Sequence, residues 1–365
     1  MSELTFTRTT ASRLPDAERA EILADPGFCR RFTDHMVSIV WDRDTGWHDA
    51  EVVPYGPIEL DPASSVLHYG QEIFEGLKAY RHPDGDIVVF RPEANARRLN
   101  ESARRLALPE LPEELFVRAV EELVRADADW VPSGEDQSLY LRPFMIAYEN
   151  FLGVRSAERA KFMVIAGPAG SYFSGGVKPV SIWLSESHAR AGHGGTGAAK
   201  CGGNYAASLL PTRIAQEHGC AQVLFTDSNT VDTIDELGGM NIFLVRADGT
   251  LVTPRLNGNI LDGVTRRSLI QLARDRGHAV EEREVTVSEW RDGVADGTIT
   301  EAFACGTAAV ITPIGRLLGE AGTIVDFGDR APGELTMSLR EELTGIQFGT
   351  VPDRHGWVHR IVTAK

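Results

Sequence analysis

The sequence predicts an α+β protein of two unequal α/β domains joined by a short interdomain loop, and three observations carry that prediction. Short runs rich in β-branched and aromatic residues are separated by tight-turn signals, the pattern of antiparallel hairpins. Stretches with a helical hydrophobic period lie between groups of these runs. Residues 167–176 are rich in Gly, Pro and Ser and interrupt a chain of 365 residues, long enough for two substantial cores. The expected division is a smaller N-terminal domain over 1–168, a loop over 169–178 and a larger C-terminal domain over 179–365.

Taken in order, a polar and acidic start leads into a short helix at 16–23. Residues 37–42 read as a strand, and Asp44-Thr-Gly46 turns the chain back through 50–54. A second hairpin runs over 76–80, turns at Pro83-Asp-Gly85 and returns over 87–90. A helix follows over 92–106, with Arg98 inward and Arg97 or Arg105 toward solvent. Phe116, Val120, Leu123 and Val124 recur at i, i+4, i+7 and i+8, so 113–126 is an amphipathic helix. Strands at 139–147 and 162–166 complete the first half.

Beyond the loop, 179–184 is strand-like, 188–203 is dominated by Gly and Ala, and a helix follows Asn204. Pro211 falls inside that helix, where it costs about 3 kcal/mol or kinks it, so a bend or a restart is expected. Residues 222–226 and 241–246 are strands, the second pairing through Asp248-Gly249 with 251–253. Residues 265–276 form a helix that Gly277 stops. Its opening at Gly263-Val-Thr offers the unpaired N–H groups that bind phosphate.

Composition excludes several function classes. A formal net charge of -15 argues against a nucleic-acid partner, which calls for a basic face. The locally basic Arg97-Arg98 still leaves room for one phosphate. Cys29, Cys201, Cys220 and Cys305 form no C-x-x-C pair, so neither a disulfide scaffold nor a metal cage is expected, and a reducing compartment is. Cys201 reads as a small packing residue. The first residues contain no apolar leader, and no apolar run approaches the roughly 20 residues that span a bilayer. The expectation is a cytoplasmic protein with no membrane partner.

The chemistry concentrates in Gly197-Ala-Ala-Lys200-Cys-Gly-Gly-Asn-Tyr205 and in Glu236-Leu-Gly-Gly-Met-Asn241. Small residues on both sides of Lys200 let a planar ring approach the backbone, as an amine needs if it is to form a Schiff base with an aldehyde cofactor. Tyr205 could then hydrogen-bond a phenolic oxygen on that ring, and Glu236 could keep a pyridine nitrogen protonated. Taken singly, a lysine beside glycines is a solvated loop residue, and Gly-Gly-Asn-Tyr is a turn. Arg98 alone reads as a surface helix residue paired with Glu93 or Glu101.

A wider set of spaced motifs joins these residues. They are Phe32-Thr-Asp-His-Met36, His68-Tyr-Gly-Gln-Glu-Ile-Phe-Glu-Gly-Leu-Lys-Ala-Tyr80, Phe90-Arg-Pro92 with Arg98, Ser138-Leu-Tyr-Leu-Arg-Pro143, Gly170-Ser-Tyr-Phe-Ser-Gly-Gly176, Gly263-Val-Thr-Arg266 and Cys305-Gly-Thr307-Ala-Ala. On these motifs, over nearly its whole length, the chain resembles the branched-chain amino-acid aminotransferases of bacterial type. These are class IV pyridoxal 5'-phosphate (PLP) enzymes, also called fold type IV. The resemblance implies the fold type IV architecture, with the cofactor between the two domains and the C-terminal one binding PLP.

It also implies that Lys200 is the covalent anchor and proton carrier, that Tyr205 contacts the ring oxygen and that Glu236 pairs with the pyridine nitrogen. The phosphate falls to Arg98, the backbone of Val264 and Thr265, and Thr307. Phe32, Tyr69, Phe74, Tyr140 and Tyr172 would wall the substrate, although each alone is as well explained by packing. Arg142 would take the glutamate side chain, and the N–H groups near Ala308 and Ala309 the α-carboxylate. Val154 would reach across the interface of a homodimer. The implied reaction transfers the amino group of L-leucine, L-isoleucine or L-valine to 2-oxoglutarate by ping-pong kinetics, giving the 2-oxo acids and glutamate.

Two departures stand out. Eukaryotic relatives carry a C-x-x-C pair where this chain has Ala309 and Thr312, and many relatives have threonine where it has Gly239. The competing readings are another class IV PLP enzyme, such as a D-amino-acid aminotransferase or an aminodeoxychorismate lyase, and a non-catalytic dimeric binding protein on the same fold. Fold type I aminotransferases put an aspartate before the lysine, whereas here the acid follows it.

Overall fold

The computed structural model describes residues 4–170 and 176–364. Two compact units emerge. The first comprises Met1–Tyr172, Ala199–Gly202 and Gly345–Lys365, the second Phe173–Ala198 and Gly203–Thr344. The first division lies beside the loop expected from composition, but two later segments return to the first unit. With them the first unit is the larger, the reverse of the sequence expectation. The reason is non-local pairing: the strand Val358–Val362 lies antiparallel to Ile87–Phe90, with Val358 opposite Phe90 and Arg360 opposite Val88.

In the first unit the described residues form a nine-stranded sheet. Its central strands His35–Asp42, Arg159–Ala169, Ser138–Ala147 and Leu77–Arg81 are all antiparallel to their neighbours, and the short strand Glu72–Phe74 also pairs with Ser138–Ala147. The helix Glu113–Ala126 has the predicted bounds. Its Phe116, Val120, Leu123 and Val124 are at most 1% exposed and join a core with Val37, Ile39, Phe162 and Val164. Burying each such side chain contributes roughly 1.5–3 kcal/mol, which fixes the helix on the sheet.

The helix Pro92–Arg105 follows a different logic. Leu99 and Ala103 enter the core, but Asn95, Arg98 and Ser102 are buried as well. Spacings of three and four place these three on one helix face, so a polar stripe points inward. Arg97 and Arg105 are exposed, as expected.

The second unit holds a mixed nine-stranded sheet among the described residues. Val180–Leu184 lies between Gln222–Thr226 and Val310–Gly319 and is parallel to both. Asn241–Arg246 pairs antiparallel with Leu251–Pro254 and Ile299–Gly306, and Phe243 stacks on Phe303 directly opposite, ring centroids 5.0 Å apart. The helix Val264–Asp275 ends before Gly277, whose φ of 83° suits a residue without Cβ. Of the bend or restart expected at Pro211, a restart does not occur: the helix Gly202–Glu217 continues past the buried proline. Thr212 Oγ1 donates to the Ser208 carbonyl at 2.7 Å, adding a bond in the turn where proline has no N–H. Among the described residues no helix is long and apolar enough to cross a membrane.

Candidate active site

Lys200 sits in the short segment Ala199–Gly202 that belongs to the first unit. Ala199 and Cys201 are buried in that unit's core while Lys200 is half-buried, so the small neighbours act as anchors. The main chain is pinned on both sides. The Lys200 N–H donates to Ser102 Oγ at 2.9 Å, and the Phe74 N–H donates to the Lys200 carbonyl at 2.9 Å. The Gly202 N–H donates to Glu72 Oε1. Lys200 Nζ lies 4.8 Å from the centre of the Phe74 ring. A solvated loop lysine has no such framework.

Beside this segment Glu75 is fully buried. Its carboxylate accepts from Arg98 Nε at 2.8 Å and Nη2 at 2.7 Å, and from Asn95 Nδ2 at 2.7 Å. Burial pushes the Glu75 carboxyl up, but the Arg98 guanidinium, with Lys200 and Asn95, more than offsets it and holds the group below the ordinary 4.5. The acid that holds the Arg98 guanidinium in two places is thus Glu75, 23 positions back in the chain. Glu75 was not singled out from sequence, though a buried arginine calls for an acid.

Phe74, Tyr140 and Arg142 gather around the same strands. Arg142 Nη2 donates to Tyr140 Oη at 3.0 Å, and its guanidinium carbon lies 4.8 Å from the Phe74 ring centre. A Cβ on Gly76 would fall 2.2 Å from Tyr140 Oη, so any side chain there would displace the tyrosine. Elsewhere in this unit Phe32 stacks on Tyr55 at 4.9 Å, and Tyr69 Oη donates to the Leu152 carbonyl at 2.6 Å. Val154 is 85% exposed. Tyr172 lies outside the described residues. The thiol of Cys29 is pushed up to about 11 by burial, despite Arg142 and Lys78, which makes it a poor nucleophile.

In the second unit Glu236 is 2% exposed at the end of the strand Ile234–Leu237. Its Oε1 accepts from the Leu261 N–H and meets Arg190 Nη1, both at 2.9 Å, and its Oε2 accepts from Asn241 Nδ2 at 3.1 Å. Asn241 continues the chain of contacts, because a Cβ on Gly263 would fall 2.1 Å from Asn241 Oδ1. Gly263 opens the helix Val264–Asp275 with no side-chain cap, and no acid occupies the first turn. Val264 and Thr265 are its first two residues, both 7% exposed. Such a start attracts an anion.

Tyr205 is half-buried, and one of its ring carbons lies 3.8 Å from where a Gly239 Cβ would be. Gly306 abuts Met240 and the Gly239 carbonyl. Thr307, Ala308 and Ala309 form the turn between paired residues Gly306 and Val310. Val310 has a φ of 62°, a conformation that β-branched residues avoid. Tyr205, Glu236 and the 306–310 turn are thus linked through the Glu236-to-Asn241 segment. Cys305 behind them is pushed up to about 12 by burial, against Arg266 and with Glu236. Arg190 and Asn241, which hold Glu236, were not assigned roles from sequence.

The model of the family described as Amino-transferase class IV matches residues 72–317, a span that includes Lys200, Tyr205, Glu236 and the 306–310 turn. Curated branched-chain-amino-acid aminotransferases from Mycolicibacterium smegmatis and Mycobacterium tuberculosis are 58% and 55% identical over 350 residues, 95% of each chain. The chain belongs to the branched-chain-amino-acid aminotransferases of class IV. Its fold is accordingly α+β of fold type IV. Among solved structures, a T.th. branched-chain amino acid aminotransferase complexed with N-(5'-phosphopyridoxyl)-L-glutamate is 29% identical, with a TM-score of 0.73 over 89% of this chain and 99% of that one.

Proposed function

We propose that this protein transfers the amino group of L-leucine, L-isoleucine or L-valine to 2-oxoglutarate, and the reverse, with pyridoxal 5'-phosphate. The observation that carries the reading is Lys200, an amine on a pinned backbone beside Phe74, Tyr140 and Arg142. The donor set fits the cofactor. An uncapped helix start without acids suits a phosphate dianion, and a buried, triply held carboxylate suits a protonated ring nitrogen.

PLP, when bound, supplies the electron sink that lets an amino acid lose its α-proton. Lys200 is its attachment point, and Lys200 Nζ takes the Cα proton of the donor and gives one back. Tyr205 Oη hydrogen-bonds the ring oxygen, and Glu236 accepts the ring N–H. Arg98, fixed by Glu75, holds the phosphate together with the N–H groups of Val264 and Thr265 and the Thr307 hydroxyl. Phe74 and Tyr140, with Phe32, Tyr69 and Tyr172, exclude water from the branched side chain, each buried methylene contributing roughly 0.8 kcal/mol. Arg142 takes the side-chain carboxylate of glutamate, and the N–H groups of Ala308 and Ala309 take the α-carboxylate. Val154, exposed at 85%, is assigned to the interface of a homodimer. Four unpaired cysteines suit the cytoplasm.

The test is a panel of amino donors with 2-oxoglutarate, reading kcat/KM for each. The three branched L-amino acids should exceed L-alanine by about 10–200-fold per decisive methylene contact. A preference for D-alanine would replace this reading with that of a D-amino-acid aminotransferase. Borohydride reduction and peptide mapping should place the cofactor on Lys200.

A further inference from the structure

We propose that Glu72 is a positioning residue for Lys200, acting through the Gly202 N–H to fix the Cys201–Gly202 peptide just beyond the lysine. The inference rests on the assignment of Lys200 above. The strand Glu72–Phe74 runs antiparallel to Ser138–Ala147, with Ile73 fully buried opposite Met145. Strand alternation then turns Glu72 and Phe74 to the other face together. Both engage the lysine segment: the Phe74 N–H holds the Lys200 carbonyl, and Glu72 Oε1 accepts from Gly202. With the Ser102 contact, the main chain is thereby held from the Lys200 N–H to the Gly202 N–H.

Position 202 is shaped around that carboxylate. A Cβ there would fall against Glu72 Oε1, so the bare glycine is what lets the carboxylate approach the main chain this closely. Gly202 is also the first residue of the helix Gly202–Glu217, whose opening N–H groups have no partner within the helix. A carboxylate at that place satisfies one of them and complements the helix dipole. Burial raises the Glu72 carboxyl, with the Gly202 N–H and the Arg142 guanidinium pulling it back.

The experiment uses the holoenzyme with three variants at this position. Glu72→Ala should lower kcat with leucine and 2-oxoglutarate about 10-fold while the donor KM stays within about twofold, the signature of a lost charged hydrogen bond felt in the chemical step. The same variant should shift the pH midpoint of the visible absorbance of the substrate-free enzyme and speed hydrogen exchange at the Gly202 amide. Glu72→Gln, which keeps an oxygen in place, should rescue most of the kcat loss and the amide protection. Should Glu72→Ala not fold, Glu72→Asp, one methylene short, should give the same signs at smaller size. Wild-type kcat, absorbance midpoint and Gly202 exchange in Glu72→Ala or Glu72→Asp would overturn the proposal. Borohydride mapping separates the two ideas: cofactor found away from Lys200 in wild type overturns the parent assignment, whereas cofactor on Lys200 with silent Glu72 variants overturns this inference alone.

Discussion

Lys200 and Glu236 are held in opposite ways. The lysine is fixed through its main chain, by Ser102, Phe74 and, one peptide on, Glu72. The glutamate is fixed through its carboxylate, by Arg190, Asn241 and the Leu261 N–H. The difference matches the tasks proposed for them. A group that moves a proton between atoms needs a rigid base and a side chain that can swing. A group that sustains one static charge needs that charge itself locked by donors, so that no reorganisation accompanies the reaction.

Removing the two side chains should therefore break the molecule differently. Lys200→Ala deletes a side chain whose main-chain bonds remain. Amino transfer should fall roughly 10⁴-fold, the upper range for a lost proton-transfer group, while the thermal midpoint of the apoprotein stays near wild type. Glu236→Ala strips a partner from Arg190, whose side chain is only 3% exposed, and should cost about 3–5 kcal/mol of stability in urea as well as activity. Equal stability losses in the two variants would erase the contrast.

The middle-sized effect concerns Glu75 and carries a sign that opposes Glu72. Glu75 titrates below the ordinary 4.5, so the folded state binds its proton more weakly than the unfolded chain does. Its pairing with Arg98, the strongest influence lowering it, adds stability that is present above that value and fades as pH drops below it. Glu72 is raised, so its ionised form penalises folding at neutral pH, and that penalty lifts as pH falls toward the ordinary value. Glu75→Gln should flatten the acid limb of a stability–pH curve below about 4.5, and Glu72→Gln should flatten the region above it. Acid-limb slopes that match wild type in Glu75→Gln would remove Glu75 from the network.

Much of this was legible in the sequence where a local rule applies. The helix Glu113–Ala126 was found to the residue because its core face is apolar at helical spacing. The strand Gln222–Thr226 was found as a short apolar run before turn residues. The helix Pro92–Arg105 was also found, but not the meaning of Asn95, Arg98 and Ser102, because apolar periodicity is blind to a buried polar stripe. Glu75 lay in view inside Phe-Glu-Gly-Leu, yet its partner is 23 positions away and only folding joins them. The sequence reading assigns no strand or helix after Gly277, and Val358–Val362 finds its place only by pairing with Ile87–Phe90. The family resemblance proposed which residues meet the cofactor; it said nothing of Ser102, Glu72, Arg190 or Asn241, which hold them.

The smallest expected effect sharpens the comparison most. Ser102 is fully buried, accepts the Lys200 N–H and donates to the Arg98 carbonyl at 3.0 Å. Ser102→Ala removes little volume but leaves the lysine N–H without this acceptor, at about 1–3 kcal/mol. Stability should fall by that amount, and hydrogen exchange at the Lys200 amide should accelerate with it. Asn241→Ala is the matching change on the carboxylate side, removing one donor to Glu236 and leaving the lysine main chain alone. It should alter the visible absorbance of the holoenzyme without touching exchange at Lys200. If main-chain anchoring is what distinguishes the lysine, the two readouts separate cleanly between the variants. Exchange at Lys200 that responds to Asn241→Ala as strongly as to Ser102→Ala would mean that both groups share one framework.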